Sequence, residues 1–313
     1  MEAIRCEGLT KRFGPVTAVD GLDMVVGEGC VFGFLGRNGA GKTTTIRMLT
    51  ALSKPTQGKA WVMGEEVVHN SLSLRSKVGY LPEEPAFYSW MNGREYLTYV
   101  GELFHLPGSE IKRRCDELLS LVGLEEAASR RIGGYSKGMR QRMGIAQALM
   151  NRPALLFLDE PSSGLDPVGR REVLETILRL KGETTVFMST HILSDVERVC
   201  DIVGIIDQGR LITESPMEQL REQFAHSVFE LEFEEEADSF LDSLRPLSWV
   251  SKVEKEPGDD AAPLRVVVHD VTTAKRELPK IVAESGFTLL RYELTLPSLE
   301  DVFVELVGHR GNE

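Results

Sequence analysis

The chain has 313 residues, 42% of them apolar, which is enough for two domains with real cores and too apolar for wholesale disorder. Lys and Arg total 36 against 48 Asp and Glu, a formal charge of -12, which argues against a surface built for nucleic acid on general basicity. The acidic excess belongs to the end of the chain: from Pro216 onward there are 10 basic and 21 acidic residues, leaving 26 against 27 in the first 215.

In chain order, CVFGFLG (Cys30 to Gly36) is a short apolar run ending in glycines, and NGAGKTTTIRMLTAL follows with helical spacing, so the segment predicts strand, loop and helix. ALLFLDE (Ala154 to Glu160) predicts a second buried strand, and TTVFMSTH (Thr184 to His191) a third, after the helical VGRREVLETILRLKG. CDIVGIIDQGRLIT reads as two strands around an Asp207-Gln208-Gly209 turn. Apolar strands alternating with helices predict an α/β domain over residues 1–215, its largely parallel sheet covered on both faces. The helical PMEQLREQF follows, and VFELEFEEE then alternates apolar and acidic residues, as a half-buried strand does. A helix ADSFLDSL, strands near WVSKVEK and LRVVVHD, a helix TTAKRELPKIVAESG, a strand FTLLRYELT and a last helix LEDVFVELVG complete residues 216–313. That order predicts a small α+β, ferredoxin-like βαββαβ domain with one added helix.

No apolar run approaches the roughly 18 residues that cross a bilayer. The opening MEAIRCEGLTKRFG has no signal-peptide pattern, so the expectation is a cytosolic chain without membrane insertion of its own. Cys6, Cys30, Cys115 and Cys200 lie far apart, with no CxxC and no His at zinc spacing, and read as reduced, mostly buried thiols.

Gly36-Arg37-Asn38-Gly39-Ala40-Gly41-Lys42-Thr43 matches GxxxxGK[ST], between strand and helix as that motif requires. Its glycines let backbone N–H groups turn onto phosphates, the helix N-terminus adds its dipole, and Lys42 reaches the terminal phosphates. Thr43 offers a hydroxyl to Mg²⁺, and Thr44 one to a phosphate oxygen. The strand ending in Asp159-Glu160 supplies two carboxylates where ligands of such folds lie, one to hold Mg²⁺ indirectly and one to face an attacking water.

Between these elements lies YSKGMRQR (Tyr135 to Arg142), with Ser163-Gly164-Leu165-Asp166 and His191 downstream. This ordered set resembles the ATP-binding subunits of ABC transporters over about the first 215 residues. The resemblance implies a P-loop NTPase fold with a helical subdomain at about 85–150, ATP and Mg²⁺ as cofactors, and ATP hydrolysis. It assigns Phe13, in LTKRFGPVTAVDGL, to adenine stacking with Val19 as apolar neighbour; read alone, a Phe in a strand is more often core. YSKGM matches the signature LSGGQ, which in the family contacts the γ-phosphate held by the other subunit; Ser136 and Gly138 are retained, while Tyr135, Lys137 and Met139 replace Leu, Gly and Gln. Read from its own residues, Ser136 is an ordinary helix N-cap.

Glu83, in VGYLPEEP, stands where many relatives have Gln; it can ligate Mg²⁺ or orient water, or be part of a solvated loop pair with Glu84. The resemblance makes His191 the switch histidine on the γ-phosphate and puts Asp166 at the seam of a dimer, homo- or heterodimeric. The LPEE form and Pro297 to Phe303 (PSLEDVF) are similar to the exporter subfamily with a small accessory domain. The implied partner is a separate transmembrane permease, docking near Pro85 to Leu97, which would keep the chain peripheral at the inner face of the cell membrane. The aromatic residues there suit such a groove or the core of a helical subdomain equally. A soluble ABC ATPase acting on ribosomes or DNA is the alternative; it usually carries two cassettes, a coiled-coil insert or a basic surface.

Overall fold

Parallel strands of a buried sheet carry apolar residues on both faces, and Val31–Leu35 (β3), Leu155–Asp159 (β7) and Thr185–Thr190 (β8) are buried at every position. The computed structural model describes residues 1–223, 227–235, 237–255 and 263–295. Within it the chain divides into two compact units, Met1–Met217 and Glu218–Glu313.

The first unit opens with Glu2–Phe13 (β1) and Val16–Gly27 (β2), before β3. Lys42–Leu49 (α1), Gln57–Val62 (β4), Glu65–Glu66 (β5), Leu72–Lys77 (α2) and Val78–Leu81 (β6) follow. Helices Gly93–Leu103 (α3), Gly108–Leu121 (α4) and Lys137–Ala148 (α5) then precede β7. Pro167–Leu180 (α6), β8, Leu193–Val199 (α7), Ile202–Asp207 (β9) and Arg210–Pro216 (β10) complete the order, and Met217–Gln223 (α8) runs across the boundary.

The main sheet has the order β10-β9-β3-β8-β7-β6. All its pairings are parallel except β10 on β9, which are joined by a turn with Gln208 and Gly209 at positive φ. Phe187 on β8 centres its interior. Its ring lies 5.3 Å from those of Phe32 and Phe34 and 5.6 Å from that of Phe157, so three adjacent strands share one aromatic cluster.

A second, antiparallel sheet of order β2-β1-β4-β5 was not visible in the sequence. Pairing of β1 with β2 shifts register between Glu2 and Ile4, Cys6 and Leu9, Leu9 and Lys11, and Lys11 and Arg12. Each shift breaks the period-two alternation by which a strand is recognised. The four cysteines are free, Cys6, Cys115 and Cys200 being buried. Burial pushes the Cys6 thiol up to about 12, so it stays protonated and unreactive.

The second unit contains Ser227–Phe233 (β11), Asp238–Leu244 (α9), Val250–Lys255 (β12), Leu264–Val268 (β13), Val271–Glu284 (α10) and Leu289–Thr295 (β14). Its sheet order, β12-β13-β11-β14 with every pairing antiparallel, is that of the ferredoxin-like split βαβ arrangement. Helix α10 continues through Pro279 because Ala274, Leu278 and Val282 bury one face at i, i+4 spacing, which offsets the lost hydrogen bond. The expected last helix and the PSLEDVF phrase lie outside the described residues. Among those described, no helix is long and apolar enough to cross a membrane.

Removing the ring common to three strands should be expensive. Phe187→Ala is expected to destabilise the first unit by about 3–5 kcal/mol, read from the shift of its urea midpoint; a loss below about 1 kcal/mol would show that the aromatic cluster does not hold the sheet.

Candidate functional site: a phosphate cleft at the strand ends

The N-cap of helix α1 is Gly41, whose φ of 107° lies in the left-handed region. A β-carbon there would meet the Ala18 carbonyl oxygen at 2.4 Å, and one at Gly36 would meet the Ile206 carbonyl oxygen at 2.4 Å. Backbone approach at both ends of the loop therefore demands glycine. No side chain caps α1, so its first amides are left to face an anion, with the helix dipole behind them.

Lys42, the first residue of α1, is buried, and its ammonium lies 2.7 Å from the Gly36 carbonyl oxygen and 3.1 Å from that of Arg37. It also stands 3.0 Å from Glu160 Oε1, an ion pair whose geometry is not that of a hydrogen bond. Glu160 Oε2 in turn lies 2.8 Å from His191 Nδ1. One carboxylate is thus held between an ammonium and an imidazole. Its backbone adopts φ 49°, unusual for a non-glycine residue, and is secured by its N–H donating to the Ser189 carbonyl at 3.1 Å and to Ser189 Oγ at 3.2 Å.

Beside it, Asp159 Oδ1 accepts from Thr43 Oγ1 at 3.0 Å and from Ser189 Oγ at 2.7 Å. Burial pushes the Asp159 carboxyl above its ordinary range, the two hydroxyls pull it back, and the charge of Glu160 raises it again. Thr44, Glu83 and Ser163 complete a cleft of about 290 Å³ with the residues of the loop, Glu160 and His191. A hydroxyl and a carboxylate in contact, with a second carboxylate lining the same cleft, are the hard oxygen donors that Mg²⁺ takes, so the residues fit that ion.

Other expected site residues lie elsewhere. Phe13 is 55% exposed and its ring carries the Lys11 ammonium 5.0 Å from its centroid, so it is not core. Val19 is fully buried in the hydrophobic core beside Gly41, an environment that supports packing and offers a base no surface. Ser136 is the N-cap of α5, its Oγ accepting from the Met139 N–H at 3.2 Å, and Asp166 is the N-cap of α6, accepting from the Gly169 N–H at 3.3 Å. Gly138 sits one residue into α5, against Gly169. None of these three lines the cleft of its own chain.

Sequence reasoning missed Ser189 and Gln141. Ser189 was detectable as a hydroxyl directly after the apolar run Val186 to Met188. Gln141, buried on α5, donates to the Glu83 carbonyl at 2.7 Å and ties the signature helix to the loop bearing Glu83, a tertiary pairing with no local signal.

The aromatic segment after Pro85 is divided. Phe87 packs edge-on to the buried Tyr96, ring centroids 5.1 Å apart, whereas Tyr88 and Trp90 are exposed. A broad groove beside them is lined by Met91, Arg94, Thr98, Tyr99 and Glu102, among others.

Comparison with known proteins accords with this geometry. The ABC transporter family matches residues 19–163, and the family described as ATP-binding protein DrrA1-3-like, C-terminal domain, matches residues 216–307. The bacitracin transport ATP-binding protein BcrA of Bacillus licheniformis is 38% identical over 308 residues, 97% of each chain. The daunorubicin resistance ATP-binding protein DrrA2 of Streptomyces coeruleorubidus is 37% identical, over 98% of this chain and 96% of its own. A solved ATP-binding subunit of an ABC transporter superposes with a TM-score of 0.64 at 30% identity, covering 71% of this chain and 93% of its own. The chain belongs to the ATP-binding proteins of ABC transporters. It is an ATPase subunit of that class, with a C-terminal domain of the DrrA type.

The strain on Asp159 gives a pH signature. The penalty on its ionised form is absent in acid, where folded and unfolded chains both hold the proton, and grows as pH rises from the unfolded value through the raised folded one. Asp159→Asn keeps an oxygen for Thr43 and Ser189 and removes the charge. Thermal unfolding without nucleotide should therefore show a higher Tm than wild type at pH 7, with the gap closing toward pH 3; equal values at pH 7 would contradict the burial argument.

Proposed function

We propose that two copies of this chain, or this chain and a close relative, enclose ATP face to face and drive a separate membrane-spanning permease. The observation that carries the reading is a division of groups. Lys42, Glu160 and His191 line one cleft, with Asp159 buried behind it on Thr43, while Ser136, Gly138 and Asp166 stand outside it at the starts of α5 and α6. In this reading those starts complete a cleft on another copy, where the α5 dipole would meet a γ-phosphate.

In this reading the loop from Gly36 to Thr44 cradles the phosphates and Phe13 stacks on adenine. Thr43, Asp159 and Glu83 would hold Mg²⁺, which when bound would supply positive charge against the phosphates. Lys42 exchanges its carbonyl and Glu160 contacts for phosphate oxygens. Glu160, freed on that side and still beside His191, orients and polarises the attacking water, and His191 secures the γ-phosphate. Glu83 puts a negative charge where many relatives have an amide, which makes the site more dependent on the metal. Hydrolysis removes the phosphate that bridges the copies, and the dimer opens.

The groove by Tyr88 and Trp90 is the docking surface for the permease, since exposed aromatics rimmed by charge mark interfaces. That partner would hold the chain at the inner face of the membrane. Relatives whose names carry bacitracin transport and daunorubicin resistance support export as the direction of transport. The acidic second unit then has an accessory role in assembly or regulation.

Lys42→Ala should lower ATPase kcat/KM by about a hundredfold or more. Glu160→Gln should abolish turnover and trap a dimer in Mg-ATP on gel filtration. A catalytically silent Glu160→Gln that elutes as a single copy in Mg-ATP would contradict the face-to-face arrangement.

A further inference from the structure

Lys137 opens α5, a helix of 12 residues with no acidic side chain in its first turn. A cation there opposes the helix dipole, so local energetics disfavour it. A tertiary contact accounts for its placement: Lys137 Nζ donates to the Ser163 carbonyl oxygen at 2.8 Å. Ser163 itself lines the phosphate cleft, three residues beyond Glu160. The ammonium fits because residue 164 is glycine at φ 63°, where a β-carbon would stand 2.6 Å from Nζ. At the next residue the starts of α5 and α6 touch through glycines, a β-carbon on Gly138 falling 3.3 Å from the Gly169 Cα. The segment that lines this chain's own cleft is thereby fastened to the helix end that carries Ser136 and Gly138.

We propose that Lys137 is a positioning residue that couples the two ATP sites of the dimer. A nucleotide that displaces Ser163 and Gly164 in one cleft moves the start of α5 through the Lys137 contact, and so sets Ser136 for the cleft of the other copy. A glycine at this position, as in LSGGQ, has no side chain with which to make the link. The proposal rests on the face-to-face reading above, and it concerns coupling between sites more than stability, because Lys137 is exposed and such contacts add little to folding.

The test uses the full chain and ATP itself. Steady-state hydrolysis is measured against ATP concentration for wild type, Lys137→Met, Lys137→Gly and Lys137→Arg, together with binding of a fluorescent ATP analogue and Tm. Wild type is expected to show a Hill coefficient approaching 2, the number of sites, and Lys137→Met and Lys137→Gly a value near about 1. Their kcat should fall about tenfold while analogue affinity stays within about twofold, and Lys137→Arg, which keeps a donor, should retain cooperativity. A residue with only a structural role would lower Tm and leave the Hill coefficient alone. Wild-type cooperativity in both Lys137→Met and Lys137→Gly overturns the proposal, as does its loss in Lys137→Arg. Glu160→Gln separates the two levels: if it forms the Mg-ATP dimer while Lys137→Met and Lys137→Gly stay cooperative, the coupling role alone fails. If it never dimerises, both readings fail together.

Discussion

Parallel pairing of three strands fixes where the polar groups around the cleft stand. Leu35 on β3 is level with Thr190 on β8, and Asp159 on β7 is level with Ser189 on β8. The loop beginning at Gly36, the two carboxylates and His191 therefore leave the sheet at one edge within a residue of each other. Ser189 reads out that register directly, since its hydroxyl donates to Asp159 while its carbonyl accepts from the Glu160 N–H. A slip of one residue would turn Asp159 and Ser189 to opposite faces and dissolve the cleft. The buried aromatic cluster around Phe187 holds the register, so core packing and chemistry are set by the same strands.

The cleft shows how a site is kept poised at a cost in stability. Burial pushes the Asp159 carboxyl above its ordinary range, and Glu160 accepts a left-handed backbone at the end of a strand. Each is a local penalty sustained by surrounding structure. Lys42 offsets part of it by pairing with Glu160, a contact that a phosphate ligand would have to replace.

How far the sequence revealed this differs from element to element. β3, β7 and β8 were legible because short apolar runs ending in glycine, carboxylate or histidine suit a buried strand and are too brief for a buried helix. The loop from Gly36 to Thr43 was legible because each residue answers to one feature of a phosphate. In the second unit, alternation in VFELEFEEE and the valine run of LRVVVHD exposed the strands, and their observed order follows from the split βαβ connection. The antiparallel sheet built on β1 and β2 was hidden by its bulges. Contacts at distance were hidden as well: nothing local in Gln141 points to the Glu83 carbonyl, and nothing in Lys137 to Ser163. Core packing of Val19 was not legible either, because apolar character does not tell a packing surface from a binding one.

The claim on which the account turns is that ATP is enclosed between copies, with Ser136 of one facing the phosphate cradled by Lys42 of the other. A crystal structure of Glu160→Gln with Mg-ATP measures this directly. The account predicts Ser136 Oγ of the second copy within hydrogen-bond distance of the γ-phosphate bound by the first. ATP closed off by one chain alone, with the start of α5 turned away from every nucleotide, would contradict it.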